Sequence, residues 1–247
     1  MKGVILAGGN GKRLAPLTVV TNKHLLPVYK KPMIFYPLET LVKTGIKEIL
    51  IVTSGEYIGH FYRLLGTGSE WGVRIHYEIQ EGSGGTGDAL LCAEDFIGDE
   101  DFLTILGDNI VYEDISEFVH AFDHEREEFD AKILIAKVEN PQKYGVVEYE
   151  GKRITRLVEK PEHPFSNYVN TGLWIFKPEI FSLCKGLNLS VRNEYEITDI
   201  LGDYAKKGRL TYEMLKREWT DAGTFEQLYR ATVLVKQQEE EESKNDK

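Results

Sequence analysis

Lys2-Gly3-Val4-Ile5-Leu6-Ala7-Gly8-Gly9-Asn10-Gly11-Lys12-Arg13-Leu14 is the stretch on which the reading of the fold turns. Residues 3–7 are a short, continuous apolar run, the pattern of a strand buried on both faces. Three glycines follow at once, and two basic residues close the loop. Glycines let backbone N–H groups approach and surround an anion, and the basic side chains supply charge. The loop is not a P-loop, because Arg13 stands where Ser or Thr should follow the Gly-Lys pair. It is not a dinucleotide fingerprint either, since Leu14 occupies the place of the third glycine. Taken alone, a Gly-rich turn after a strand is equally well a tight turn with no ligand. Arg13 and Lys23 weigh toward phosphate, which Arg clamps bidentately and Lys meets as a point charge.

Outward from this stretch, strands and helices alternate. Helices are expected over 34–43, 57–65, 88–96 and 115–126, and strands over 48–53, 73–79, 102–106 and 131–138. This spacing indicates βαβ units, a mostly parallel sheet, and right-handed crossovers that put helices on both faces. From about residue 140 the rhythm changes. Short strands over 146–149, 154–159 and 171–176 are separated by Pro141, Gly151, Pro161 and Pro164, and read as antiparallel or mixed sheet beside the parallel core. A helix over 198–206, a strand over 210–215 and a helix from 224 to about 238 close the chain.

Composition narrows the function. The 247 residues are 42% apolar and 28% charged, ordinary values for a folded chain with a sizeable core. No apolar run reaches the roughly 20 residues of a membrane-spanning helix, and the N-terminus reads as a strand, not a signal peptide. Thirty basic against forty acidic residues give a net charge of −10, which argues against a nucleic-acid partner and leaves small phosphorylated ligands open. Cys92 and Cys184 have no zinc spacing and read as buried thiols of a cytoplasmic protein. His120 and His124 lack the Glu of a zincin, Ser83 has no evident triad, and Tyr57, Phe61 and Leu65 sit at core spacing on a helix.

Ligands of open α/β sheets lie beyond the carboxyl ends of the strands, and two further motifs sit at such ends. Leu106-Gly107-Asp108-Asn109 offers a carboxylate with room beside it, which suits Mg²⁺ as well as it suits a loop-capping Asp. Trp219-Thr220-Asp221-Ala222-Gly223-Thr224 offers another, and sequence distance leaves open whether the two carboxylates meet.

Nine segments in order carry a resemblance: KGVILAGGNGKRLAPLT, NKHLLPVYKKPMI, LLGTGSEWG, LGDNI, PQKYGVVE, EKP, SNYVNTGLWIF, NEYEITDI and WTDAGT. From Met1 to about Ala231 the chain resembles the sugar nucleotidyltransferase family, and within it the glucose-1-phosphate thymidylyltransferases. The resemblance implies an α/β, three-layer Rossmann-like nucleotide-diphospho-sugar transferase fold with a mostly parallel mixed sheet and a small C-terminal β elaboration. Residues 1–236 would form the single domain, and residues 237–247 an acidic tail, frayed or disordered. The activity implied joins a nucleoside triphosphate to a sugar 1-phosphate and releases pyrophosphate, with Mg²⁺ as cofactor. The partners implied are dTTP or UTP and glucose 1-phosphate, with no nucleic acid and no membrane, in a cytoplasmic homo-oligomer that feeds deoxysugar synthesis.

Carried over by residue, Gly8, Gly9, Asn10, Gly11 and Lys12 would wrap the nucleotide, with Arg13 and Lys23 on phosphates. Gln80 and Gly85 would meet the base. Asp108 and Asp221 would hold Mg²⁺. Tyr144, Gly145, Glu159, Lys160 and Val169 would line the sugar phosphate site, with Lys160 on its phosphate. The chain departs from the pattern at Lys12, where a small hydroxyl residue is usual, at His24, where Gln is usual, and across the base loop 81–88. It also ends before the C-terminal extension with which longer members support a regulatory nucleotide site. A non-catalytic nucleotide- or sugar-binding regulator is the reading from another class, and the full set of Arg13, Asp108, Lys160 and Asp221 speaks against it.

Overall fold

The structure is a computed structural model and describes residues 1–245. In chain order its strands and helices are β1 (Lys2–Ala7), β2 (Pro27–Val28), β3 (Lys31–Pro32), α1 (Phe35–Lys43), β4 (Glu48–Ser54), α2 (Ile58–Leu65), β5 (Arg74–Gln80), α3 (Thr86–Leu91) and α4 (Glu94–Ile97). Then come β6 (Phe102–Leu106), β7 (Asn109–Val111), α5 (Ser116–Glu125), β8 (Ala131–Lys137), β9 (Gly145–Glu150), β10 (Arg153–Glu159) and β11 (Tyr168–Phe176). The chain closes with α6 (Ile180–Cys184), α7 (Ile197–Lys206), β12 (Leu210–Met214), β13 (Trp219–Asp221) and α8 (Phe225–Asn245).

The described residues form a nine-stranded sheet in the order β5-β4-β1-β6-β11-β8-β12-β10-β9. The β5-β4-β1-β6 half is parallel throughout, as the alternation of strands and helices predicts. The later strands are not laid beside this core but continue it. β11 runs antiparallel between β6 and β8, and β12 joins β8 in parallel. Local pattern cannot show this, because β11 pairs with strands at two distant places in the chain.

Side-chain alternation explains the layers. Val4 and Leu6 of β1 join Leu50 and Val52 of β4 in a core with α3, α4, α6 and α7. Ile5 and Ala7 point the other way and join Ile49 and Ile51 under α1, α2 and α5. Strands buried on both faces need apolar residues at every position, which is why residues 3–7 carry no polar side chain. Phe61 and Leu65 are core residues of α2, as expected, while Tyr57 is half-buried at its N-terminal end.

Two expected helices differ. The expected helix over 88–96 is two short ones, because the chain tightens around Cys92-Ala93, with Ala93 N–H on the Leu90 carbonyl at 2.9 Å. That turn puts both Leu90 and Ala93 into the core. The closing helix runs on to Asn245, past the expected end near 238. Lys30 Nζ meets Glu239 Oε2 at 2.7 Å, and Lys236 meets Glu240 one turn on, so part of the acidic segment has countercharges. The last two residues of that tail lie outside the described residues. Cys92 is half-buried, Cys184 is buried, and both are free thiols. Among the described residues no helix is long and apolar enough to cross a membrane.

Candidate active site

The site lies at the carboxyl ends of β1 and β6, where three loops meet. After β1 the chain turns through Gly8 to Gly11 into a short 3-10 turn, Lys12–Leu14. Gly11 has φ +60°, a left-handed conformation that a side chain would strain, and Thr18 Oγ1 fixes it by donating to its carbonyl at 2.9 Å. Lys12 and Arg13 are exposed, and the Arg13 guanidinium reaches toward Gly223. Lys23 comes from a second 3-10 turn, Lys23–Leu25, capped by Asn22, whose Oδ1 accepts from the His24 N–H. Asn22 Nδ2 also reaches back to the Ala7 carbonyl at 3.3 Å, tying this turn to the end of β1.

The short strands β7 and β13 settle whether the two carboxylates meet. They pair antiparallel with Asp221 opposite Asn109, and Ala222 N–H donates to the Asp108 carbonyl at 3.0 Å. Asp108 and Asp221 therefore face one pocket. A Cβ built on Gly223 would lie 3.5 Å from Asp108 Oδ2, 3.3 Å from Asp221 Oδ2 and 2.8 Å from Arg13 Nη2. Lys23 Nζ sits 2.6 Å from Asp108 Oδ2.

Burial opposes the charge on Asp108, but the adjacent Lys23 ammonium, with Arg13 behind it, outweighs burial and holds the carboxyl at about 2. Asp221 goes the other way. Burial first, and then the charge of Asp108, push it up to about 6. Its Oδ1 accepts from Tyr144 Oη at 2.9 Å and from Gln227 Nε2, which leaves Oδ2 toward the pocket. His24, the departure from the family's Gln, is buried with its Nδ1 2.7 Å from Asn22 Oδ1 and its ring against Gly107. Burial and the adjacent Lys23 lower it to about 3, so it is a neutral wedge between two loops.

Two carboxylates with no third acidic, His or Cys partner among the described residues suit a hard cation that takes its other ligands from phosphate and water. The fit rests on geometry: the Oδ2 atoms of Asp108 and Asp221 flank one position at Gly223, 3.5 and 3.3 Å from a Cβ built there.

The expected sugar-site residues gather on the other side of Asp221. Tyr144 Oη links the two halves through its bond to Asp221. Glu159 Oε2 would lie 3.3 Å from a Cβ on Gly145, and Asn170 Cβ 3.6 Å from it. Lys160 has φ +42° and its Nζ is 2.9 Å from Glu159 Oε1, so in this state its charge is held by Glu159. Arg192 Nη2 also approaches Glu159 Oε1 at 3.3 Å while gripping Glu196. Val169 is fully buried opposite Val146, where β11 meets β9.

Gln80 ends β5 and is buried, donating to Asp88 Oδ2 at 2.7 Å and to the Gly85 carbonyl at 3.2 Å. Gly84 and Gly87 are fastened to Tyr195 by backbone bonds of 2.7 and 2.8 Å. Asp88, Asn22, Asn170 and Gln227 escaped the reading of the sequence. Only contacts across the chain reveal Asp88 and Gln227, the first on Gln80 and the second on Asp221.

An anion cradle beside a carboxylate pair, at the carboxyl edge of parallel strands, is what an enzyme handling a nucleotide's phosphates requires. The chain belongs to the nucleotidyl transferase family, whose pattern matches residues 2–238, and it is a nucleotidyltransferase. It is 41% identical over 241 residues to the glucose-1-phosphate thymidylyltransferase of Mycolicibacterium smegmatis, covering 96% of this chain and 82% of that one. A Bacillus anthracis structure, solved with sucrose as a candidate glucose-1-phosphate thymidylyltransferase, superposes with TM-score 0.89 at 44% identity over 95% of this chain and 94% of that one. A UDP-glucose pyrophosphorylase bound to UDP-glucose superposes with TM-score 0.85 at 27% identity, covering 96% and 98%.

Proposed function

We propose that the protein transfers a thymidylyl group from dTTP to glucose 1-phosphate, giving dTDP-glucose and pyrophosphate. The convergence of Arg13, Lys23, Asp108 and Asp221 on one pocket carries this reading, with the 41% identity to a curated thymidylyltransferase behind the choice of substrates. The phosphate oxygen of the sugar attacks the α-phosphorus in line, and a phosphate monoester needs no general base near neutral pH. The chain's work is to bring two anions together and hold them. The loop of Gly8, Gly9, Asn10, Gly11 and Lys12 cradles the triphosphate, and Arg13 and Lys23 neutralise it. Lys160, released from Glu159, meets the phosphate of the sugar, whose ring lies against Tyr144, Gly145 and Glu159. Asp108 and Asp221 would hold Mg²⁺, which would offset the charge of the triphosphate and polarise its phosphoryl oxygens.

The test is pyrophosphate release from a panel of nucleoside triphosphates and sugar 1-phosphates. The expected outcome is highest kcat/KM for dTTP with glucose 1-phosphate and no turnover in EDTA. A preference for UTP by tenfold or more would transfer the assignment to a uridylyltransferase.

A further inference from the structure

The polar atoms around Gln80 are arranged in a way that neither its burial nor the fold requires. A side-chain amide carries two N–H donors and a carbonyl acceptor, and half a turn about its last bond exchanges them. Such an amide can read a base edge of either polarity unless something fixes it. Here both neighbours on the nitrogen side are acceptors, Asp88 Oδ2 at 2.7 Å and the Gly85 carbonyl at 3.2 Å. A half turn would set Oε1 against both of them in a buried place, a loss that a buried polar pair does not tolerate. The lock is itself anchored. Asp88 lies in the first turn of α3, and the loop before it is tied to Tyr195 through Gly84 and Gly87. Oε1 lies on the opposite side, over Gly8, so close that a Cβ there would overlap it. Gly8 thus makes room for the carbonyl at the end of β1, beside the phosphate-cradling loop.

We infer that Asp88 is a specificity-determining positioning residue: it fixes the Gln80 amide so that its carbonyl oxygen, and not its N–H₂, faces the base. The inference rests on the proposed function, in which Gln80 meets the base. An acceptor at that point suits a pyrimidine whose ring N3 carries a proton, as in thymine and uracil. It repels the bare N3 lone pair of cytosine. The lock therefore selects a class, the 4-oxo pyrimidine nucleotides, and leaves the 5-methyl group of thymine to other contacts.

The test compares kcat/KM for dTTP and dCTP with glucose 1-phosphate in wild type, Asp88→Leu, Asp88→Ala, Asp88→Asn and Gln80→Met. Asp88→Leu keeps the branched heavy-atom skeleton and removes the acceptor, so the dTTP:dCTP ratio is expected to fall by about 10-fold or more. Asp88→Ala should lower it likewise, and stands in for the Leu variant if that fails to fold. Asp88→Asn keeps an oxygen for Gln80 and should restore most of the ratio. A merely structural Asp88 would lower both substrates by one factor and leave the ratio unchanged in Leu and Ala, which overturns the inference. Loss of the ratio in Gln80→Met with the ratio intact in Asp88→Leu would overturn the lock and leave Gln80 as the base reader. A wild type without dTTP turnover would instead overturn the proposed function.

Discussion

Placing a methyl group on Gly223 separates the chemistry of the pocket from its stability. Gly223 is buried and has no left-handed φ, so the backbone accepts alanine without strain. The added Cβ would lie 2.8 Å from Arg13 Nη2, 3.3 Å from Asp221 Oδ2 and 3.5 Å from Asp108 Oδ2. The contact with Asp108 is ordinary, and Asp221 Oδ2 must give by a few tenths of an ångström. The contact with Arg13 is tighter, and the guanidinium must withdraw from 2.8 Å to about 3.4 Å or beyond. Arg13 is exposed and flexible, so the fold pays little for this movement. Gly→Ala also restricts the unfolded chain, worth about 0.4–1 kcal/mol in favour of the folded state. The melting temperature of Gly223→Ala should therefore equal or slightly exceed that of wild type. Turnover should suffer, because a preorganised charge has been moved and a carbon occupies space between it and two carboxylates. Displacements of this size cost on the order of 10²-fold. The assay is kcat/KM for dTTP by pyrophosphate release, beside thermal unfolding of the same preparations. Wild-type kcat/KM would show that no reacting group passes Gly223, and a drop of several degrees in melting temperature would show that the pocket is structural packing.

Other expectations follow from the same geometry. Asp108→Asn and Asp221→Asn should each fold and lose most turnover, with a higher Mg²⁺ requirement; unchanged activity at ordinary Mg²⁺ would remove that residue from the cation site. Arg13→Ala should lower kcat by on the order of 10²-fold, whereas Lys160→Ala should act on the KM of glucose 1-phosphate, and a reversal would exchange their phosphates. Because Asp221 is pushed up to about 6, protons compete with the cation there, and the Mg²⁺ needed for half-maximal rate should rise as pH falls from 7 through 6. Asp221→Asn has no such proton to bind and should flatten that dependence.

The parallel half of the sheet was legible because each strand carries a local signature, an apolar run such as Val4 to Ala7 in β1 or the in-and-out alternation of β5, and helices of regular spacing separate them. The meeting of Asp108 and Asp221 was not. It depends on β7 and β13, strands of three residues each, too short to show a period and far apart in the chain. Arg13 and Lys23 drew attention as residue types that bind phosphate, whereas Lys160 entered only through the resemblance. The residues holding these in place drew none, because Asn22 capping a turn or Gln227 reaching Asp221 looks from sequence like any polar side chain on a surface. Val169, which the resemblance placed in a ligand site, is fully buried in β11.

The position of β11 has a consequence for the growing chain. β6 and β8 lie on either side of β11, so neither has its inner edge covered until residue 176 has left the ribosome. Until then the edge of β6, Phe102–Leu106, presents unpaired backbone groups flanked by apolar side chains, a template for joining another chain. An N-terminal fragment cannot complete its sheet early and wait. Synthesis must run most of its course before the halves lock together, and the interval in which nascent copies can associate wrongly is correspondingly long.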